Sequence, residues 1–370
     1  MHKKRKTGTM AQVDFGLDFY KGKKVLITGH TGFKGTWMCE ALLLAGAEVT
    51  GYALEPPTDP SVFALTDMGK RMNSVIGDVR DLAHLRQVFE KVRPEIVIHM
   101  AAQPIVRESY KDPVYTYETN VMGTVHVLEC IRTCESVRSF VNVTTDKVYL
   151  NREWSWGYRE NEELNGYDPY SNSKSCSELV TSCYLNSFLG EKSERPVAVS
   201  TARAGNVIGG GDFAVDRIVP DCVRAALSGQ EIIVRNPMSI RPFQHVLEPV
   251  MVYLMIAKKQ YENREYAGNY NVGPDETDCY TTGELVTLFC EKWNRASKEN
   301  VGWKNVSDGG PHEANYLKLD CSKLKTVFGW RPVWNLETAM EKIVEWTTAY
   351  RDKEDLCACM RRQIEEFLHS

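Results

Sequence analysis

The feature that most constrains the fold is an alternation. From about Lys23 to Arg203, short and nearly unbroken β-branched apolar runs take turns with stretches of helical periodicity. The runs are Lys24–Thr28, Glu48–Ala53, Ser74–Gly77, Ile96–Ala101, Phe140–Thr144 and Val197–Arg203. Helical patterns lie between them at Thr36–Leu44, Ala83–Lys91, Thr119–Thr133 and Ser171–Phe188. Runs apolar at consecutive positions suit strands buried on both faces. Strands of that kind joined by crossover helices predict an α/β fold with a doubly wound, Rossmann-type parallel sheet.

After Arg203 the texture changes to a glycine cluster, Gly209 to Gly211, an arginine-rich stretch from Arg217 to Arg241, and helices expected at His245–Gln260, Thr281–Trp293 and Leu336–Tyr350. This predicts a smaller second unit closing over the carboxyl ends of the strands, where open α/β sheets bind ligands. The expected division gives residues 20–205 with 245–272 to a dinucleotide-binding unit and 206–244 with 273–370 to a substrate unit. Residues 1–19, with the basic run His2–Lys6, read as a solvated tail.

Composition removes several function classes. A chain of 370 residues with 43% hydrophobic and 25% charged residues is an ordinary globular protein of about two domains. Its net charge of -4 argues against nucleic acid as the main partner. Apolar runs fall short of the roughly 18 residues a membrane span needs, and the N-terminus lacks a secretory segment. The eleven cysteines, an odd number without a CxxC pair, imply reduced thiols, no metal site and a cytoplasmic location. The sequons Asn142-Val-Thr and Asn305-Val-Ser are then silent.

The first strand runs straight into Gly29-His30-Thr31-Gly32-Phe33-Lys34-Gly35 and a helix. Gly29 permits a tight turn, Gly32 lets backbone approach a pyrophosphate, and Gly35 lets helix and strand pack closely, with the helix N-terminus facing the phosphates. The bland alternative is a tight strand-to-helix turn. An acidic residue about 20 positions on would hold the adenosine ribose, but that strand ends Gly51-Tyr52-Ala53, so NAD and NADP both remain open on spacing. Tyr52, Asp78 and Val79 are expected along the adenosine, and Lys34 near a phosphate.

Tyr170 and Lys174 share a helix face just after Pro169. A phenol of pKa about 10 is a poor base in neutral water; a neighbouring ammonium stabilises phenolate and brings it into range. Tyr20 and Lys24 have the same spacing but straddle Gly22, which breaks the helix. At the end of the fifth strand stand Thr145, Asp146 and Lys147. Oxidising an alcohol needs the tyrosine, the lysine and one hydroxyl, here Thr145. The added acid and base point to an elimination, with Asp146 protonating a leaving hydroxyl and Lys147 removing a carbon-bound proton. Both must then titrate in reverse of their states in water; otherwise the two would form a plain ion pair.

These residues resemble the nucleotide-sugar 4,6-dehydratases of the extended short-chain dehydrogenase/reductase (NAD-dependent epimerase/dehydratase) family, in the branch acting on CDP-glucose. The matching text is Gly29–Gly35, His99-Met-Ala-Ala-Gln103, Thr119-Asn-Val-Met-Gly123, Thr145-Asp-Lys147, Tyr158-Arg-Glu-Asn-Glu162, Tyr167–Lys174, Arg203–Asp212, Ser239–Val246 and Pro311–Asp320. The resemblance implies NAD as cofactor, CDP-glucose as substrate and a redox-neutral reaction: oxidation at C4, loss of water across C5 and C6, and hydride return to C6. The dTDP-glucose relatives carry Asp-Glu where this chain has Asp146-Lys147. By the same match Ala101, Ala102, Gln103 and Asn120 line the cofactor, with Gln103 and Asn206 reaching the substrate. Arg217, Arg235 and Arg241 become phosphate forks, and Glu313 and Tyr316 close the nucleotide pocket. His245 and His312 read as structural or rim residues. A homodimer or homotetramer is implied, paired through the helices around Asn120 and Tyr170.

Overall fold

A computed structural model describes residues 13–306 and 317–370. Its centre is a seven-stranded parallel sheet: β1 Lys24–Thr28, β2 Glu48–Ala53, β3 Asn73–Ile76, β4 Ile96–His99, β5 Ser139–Thr144, β6 Ala198–Ala204 and β7 Asn269–Val272. The spatial order is β7-β6-β5-β4-β1-β2-β3. The order reverses between β1 and β4, which pair with Thr28 opposite His99, and a crevice opens there at the carboxyl edge.

Successive strand residues feed opposite cores, as the two-residue period of a strand requires. Val25, Ile27, Ile98, Val141 and Val143 pack under α1 (Phe33–Leu44), α6 (Leu247–Glu262) and α9 (Leu356–His369). Leu26, Val97, Phe140 and Val199 pack under α2 (Leu82–Val92), α3 (Gly123–Thr133) and α4 (Pro169–Tyr184). A separate core joins α5 (Ile218–Leu227), α7 (Thr282–Ser297) and α8 (Leu336–Arg351) through Val223, Phe289, Trp293 and Ile343. No helix among the described residues is long and apolar enough to cross a membrane.

Four local features depart from the sequence pattern. The helix expected from Thr119 begins as a wide π-turn, Glu118–Met122, and α4 is continued by another, Leu185–Leu189. The sequence pattern did not mark α9, and the division at residue 273 puts it with the second unit. Its Leu356, Cys359, Met360, Ile364 and Phe367 instead join the core under the sheet. There Glu40 of α1, fully buried, accepts from Arg71 (2.5 and 2.8 Å) and from Arg361 of α9 (2.8 Å). Within the expected tail, Phe15 is buried and meets Phe367 at 5.5 Å between ring centroids.

Glu248 ties α6 to the turn entering α8. One carboxyl oxygen accepts from the backbone of Val333 (2.8 Å) and Trp334 (2.7 Å). Burial pushes the acid up to about 8 against these bonds, with Asp278 and Asp275 adding to the rise. The stability from holding this proton is full below the unfolded value near 4.5 and is lost as pH rises through about 8. Glu248→Gln should flatten the fall in urea midpoint between about pH 5 and pH 8. An unaltered pH slope would contradict a protonated Glu248.

Candidate active site

The glycine loop separates packing from ligand space. Gly29 adopts φ +81°, and its N–H donates to the Tyr52 carbonyl (3.0 Å). A β-carbon on Gly29 would stand 2.8 Å from the Ala101 nitrogen, and one on Gly35 only 2.2 Å from the Gly29 oxygen. On Gly32 it would meet nothing nearer than the Gly29 oxygen at 3.4 Å. Packing therefore demands Gly29 and Gly35, while Gly32 leaves a bare cradle at the N-cap of α1, where no side chain caps the helix. First-turn N–H groups presented this way suit a dinucleotide pyrophosphate.

Several residues expected along the cofactor are committed to protein contacts. The His30 ring lies over Gly51, where a β-carbon would come within 2.1 Å of it, and Nε2 bonds the Ser74 hydroxyl (2.7 Å). Burial pushes this imidazole down to about 4, so it is neutral. Thr31 donates to the Leu54 carbonyl (2.8 Å), and Phe33 packs by Gly209. Tyr52 is fully buried and donates to the Asp78 carbonyl (2.9 Å). The Asp78 carboxyl is raised by partial burial but held below its usual range by hydrogen bonds from Arg80, one of them 2.7 Å. Val79 is buried against Gly123. Ala101 and Ala102 follow β4 half-buried at the crevice. Gln103 is turned inward, donating to Thr116 (2.9 Å) and the Ile105 carbonyl (3.1 Å) and accepting from the Ile105 N–H (2.6 Å). Asn120, in the π-turn, clamps this loop to α4: it accepts from Gln103 N–H (2.8 Å) and donates to the Gln103 carbonyl (3.1 Å) and Ser173 (2.8 Å).

The chemistry-bearing groups meet at the edge of β5. Asp146, 1% exposed, accepts from the Thr145 hydroxyl (2.9 Å) on one oxygen and from Asn206 (3.3 Å) on the other. Its oxygens are thus engaged by neutral donors, and the half-buried Lys147 beside it does not close the ion pair that adjacency allows. Asn206, expected to reach the substrate, donates to the acid from a left-handed turn (φ 47°). The Thr145 hydroxyl also lies near enough to the Tyr170 phenol to lower its pKa.

Burial pushes Tyr170 up to about 12; the Thr145 hydroxyl pulls the other way, Asp146 adds to the rise, and Arg217 opposes it. Burial pushes Lys174 down to about 8, opposed by Glu178, and its ammonium donates to the Val143 carbonyl (3.2 Å). Lys174 alone therefore does not bring the phenol into working range, because desolvation weakens both charged forms. Lys34 enters the same cluster, its ammonium 5.7 Å from the Tyr253 ring centroid. Burial pushes it down to about 7, Arg217 and Lys174 lower it further, and Asp146 opposes.

Arg217 ion-pairs with Asp212 (3.1 Å) at the start of α5. Arg235 pairs with Asp216 (3.0 Å), and the nearly buried Arg241 donates to the Ile240 carbonyl (3.0 Å). Glu313 and Tyr316 lie outside the described residues. Beside Pro242, a cavity of about 550 Å³ opens between Trp156, Arg159, Asp275 and Lys318, apart from the catalytic cluster.

Sequence reasoning missed two residues. Tyr253 of α6 is fully buried, its hydroxyl is unsatisfied, and it faces Tyr170 and Asp146 electrostatically; a lone tyrosine in an apolar helix carries no signal. Glu178 was findable, since it follows Lys174 by four on the same helix. The loop geometry separates two glycine variants. Gly32→Ala should leave thermal stability unchanged yet weaken dinucleotide binding by about tenfold or more, whereas Gly35→Ala should lower the melting temperature. Calorimetry on both would refute the cradle if Gly32→Ala binds as the native chain does.

Residues 26–343 match the family described as GDP-mannose 4,6 dehydratase. The CDP-glucose 4,6-dehydratase of Salmonella typhimurium is 47% identical over 95% of this chain and 98% of its own length. Two solved UDP-glucose 4-epimerases share the fold. That of Stenotrophomonas maltophila, with bound NAD and formylated UDP-arabinopyranose, has TM-score 0.76 at 18% identity over 90% of this chain and 99% of that one. That of Thermus thermophilus, complexed with NAD, has TM-score 0.73 at 23% identity over 88% and 98%. With a family match across most of its length and a relative this similar from end to end, the chain belongs to the GDP-mannose 4,6-dehydratase family.

Proposed function

We propose that this protein converts CDP-D-glucose to CDP-4-dehydro-6-deoxy-D-glucose, with NAD held on the Gly32 cradle. The reading is carried by the end-to-end likeness to the Salmonella typhimurium dehydratase. It is supported by the meeting of a Thr-Asp-Lys turn and a Tyr-Lys helix at one sheet edge. Bound NAD supplies the hydride acceptor for C4 and the donor for C6.

The side chains supply the rest. Tyr170, aligned by Thr145, takes the proton of the C4 hydroxyl. Lys174, buried, does not bring the phenol into range alone and relies on the further positive charge that oxidised NAD would supply. With C4 a carbonyl, the C5 proton is acidic and Lys147 removes it. Asp146 protonates the C6 hydroxyl, which departs as water, and Lys147 returns its proton to C5 as C6 receives hydride. One proton is taken at C4 oxygen and one given at C6 oxygen, so the net change is loss of water. Arg217, Arg235 and Arg241 gather positive charge for the substrate diphosphate, and Lys34 for the dinucleotide phosphates, in a chain of net charge -4. Residues 20–205 with 245–272 bind the dinucleotide, and 206–244 with 273–370 bind the nucleotide sugar, except that α9 packs under the sheet with the dinucleotide unit. The eleven unpaired thiols suit a reducing cytoplasm.

Incubation with NAD and a panel of nucleotide sugars should yield a 4-keto-6-deoxy product from the CDP sugar; turnover of another sugar in preference would overturn the substrate assignment. Lys147→Ala should lose exchange of the C5 proton with solvent while still oxidising C4. Asp146→Asn should keep that exchange but slow water loss by about 100-fold or more. Retained exchange in the first variant, read by mass spectrometry in deuterium oxide, would remove Lys147 as the base.

The protein also works as a homo-oligomer. Val114 (65% exposed), Leu179 (57%), Met122 and Phe188 leave an apolar surface around α3 and α4. Leu179→Asp should shift the mass in light scattering toward the monomer, and an unchanged mass would place the contact elsewhere.

A further inference from the structure

Glu178 lies one turn beyond Lys174 on α4, so the two side chains share a face. It is 2% exposed, and its carboxylate is held at several points. Thr144 donates to Oε1 (2.6 Å), Arg203 Nε reaches both oxygens (2.9 and 3.0 Å), and Arg203 Nη2 reaches Oε2 (2.5 Å). Arg203, 1% exposed on β6, is fixed in turn by the Tyr149 hydroxyl (2.7 Å) and the Glu160 carbonyl (3.0 Å).

An ion pair this deep is weak evidence of stabilisation, because desolvation offsets its attraction. Its placement has another consequence. The carboxylate sits on the helix of Lys174, and its Thr144 bond is one residue from the Val143 carbonyl that receives the lysine ammonium. The guanidinium comes from β6, where Arg203 stands opposite Thr144 in the sheet, whereas the carboxylate shares the helix face of Lys174 and is the charge that raises it. The other groups facing Lys174 do not supply that charge. Lys34, from the loop after β1, is a competing cation. His99, at the end of β4, is neutral and bonded to Thr28 (2.7 Å) and Thr124 (3.2 Å). Tyr170, on the same helix, is a protonated phenol, and the charge of Asp146 acts on Lys34 and Tyr170, whereas Glu178 is the carboxylate that raises Lys174.

We propose that Glu178, clamped by Arg203, is a positioning residue that keeps Lys174 cationic and seated at the Val143 carbonyl during oxidation at C4. This rests on the role given above to Tyr170 and Lys174. In Glu178→Gln the alkaline limb of the C4 oxidation rate should move toward acid by about one pH unit, with KM for the nucleotide sugar little changed. Lysine-labelled NMR, with Lys174 assigned through Lys174→Met, should show its titration moving by the same amount without substrate. Glu178→Asp should recover part of the displacement. Should Glu178→Gln misfold, the double variant Glu178→Gln/Arg203→Met, with neither buried charge, should show the same displacement. A folded variant with the native limb and the native Lys174 titration overturns the proposal. If the native protein oxidises no nucleotide sugar, the reaction assignment fails instead, and the NMR titration still decides the coupling.

Discussion

Helix α4 is joined to β5 by buried polar bonds rather than by apolar contact alone, and the site depends on that junction. Asn142 donates to Ser177 (3.0 Å) and Thr181 (2.9 Å), Lys174 to the Val143 carbonyl, and Thr144 to Glu178. Three consecutive strand residues thus read three turns of one helix, while Asn120 fixes its start through Ser173. A buried hydrogen bond adds only about 1 kcal/mol net, but leaving its groups unpaired costs about 1–3 kcal/mol. A rotation or slip of α4 would strand several at once. This register brings Tyr170 to Thr145, at the edge where a parallel sheet binds its ligand.

Burial then sets the electrostatics. The enclosed edge raises the phenol of Tyr170 and depresses the ammonium groups of Lys174 and Lys34. A phenol raised in this way gains base strength only when a further positive charge stands beside it, as the oxidised nicotinamide would provide. Asp146, held by a hydroxyl and an amide instead of by Lys147, is free of the ion pair that would bar both from acid and base work.

Much of this was legible in the sequence where one physical rule acts locally. Strands buried on both faces are apolar at successive positions, so β1 to β6 were readable to within a residue or two. The glycine loop was readable because Gly29 and Gly35 answer to backbone contacts. Legibility failed where tertiary partners decide. Tyr52 and Gln103, where the family pattern expects ligand contacts, also bond Asp78, Thr116 and Ile105, and no local pattern announces those partners. Asn206, in a left-handed bend, bonds Asp146, 60 positions away in the chain. Helix α9 is amphipathic, but its partner Glu40 is 321 positions away from Arg361, beyond any local pattern.

The central claim is that the hydride leaving C4 returns to C6 within a single turnover. CDP-glucose deuterated at C4, incubated with the protein and NAD, tests it by NMR of the product. The account predicts deuterium in the C6 methyl group and a ketone at C4. Deuterium retained at C4, or released to the medium on the nicotinamide, would contradict it.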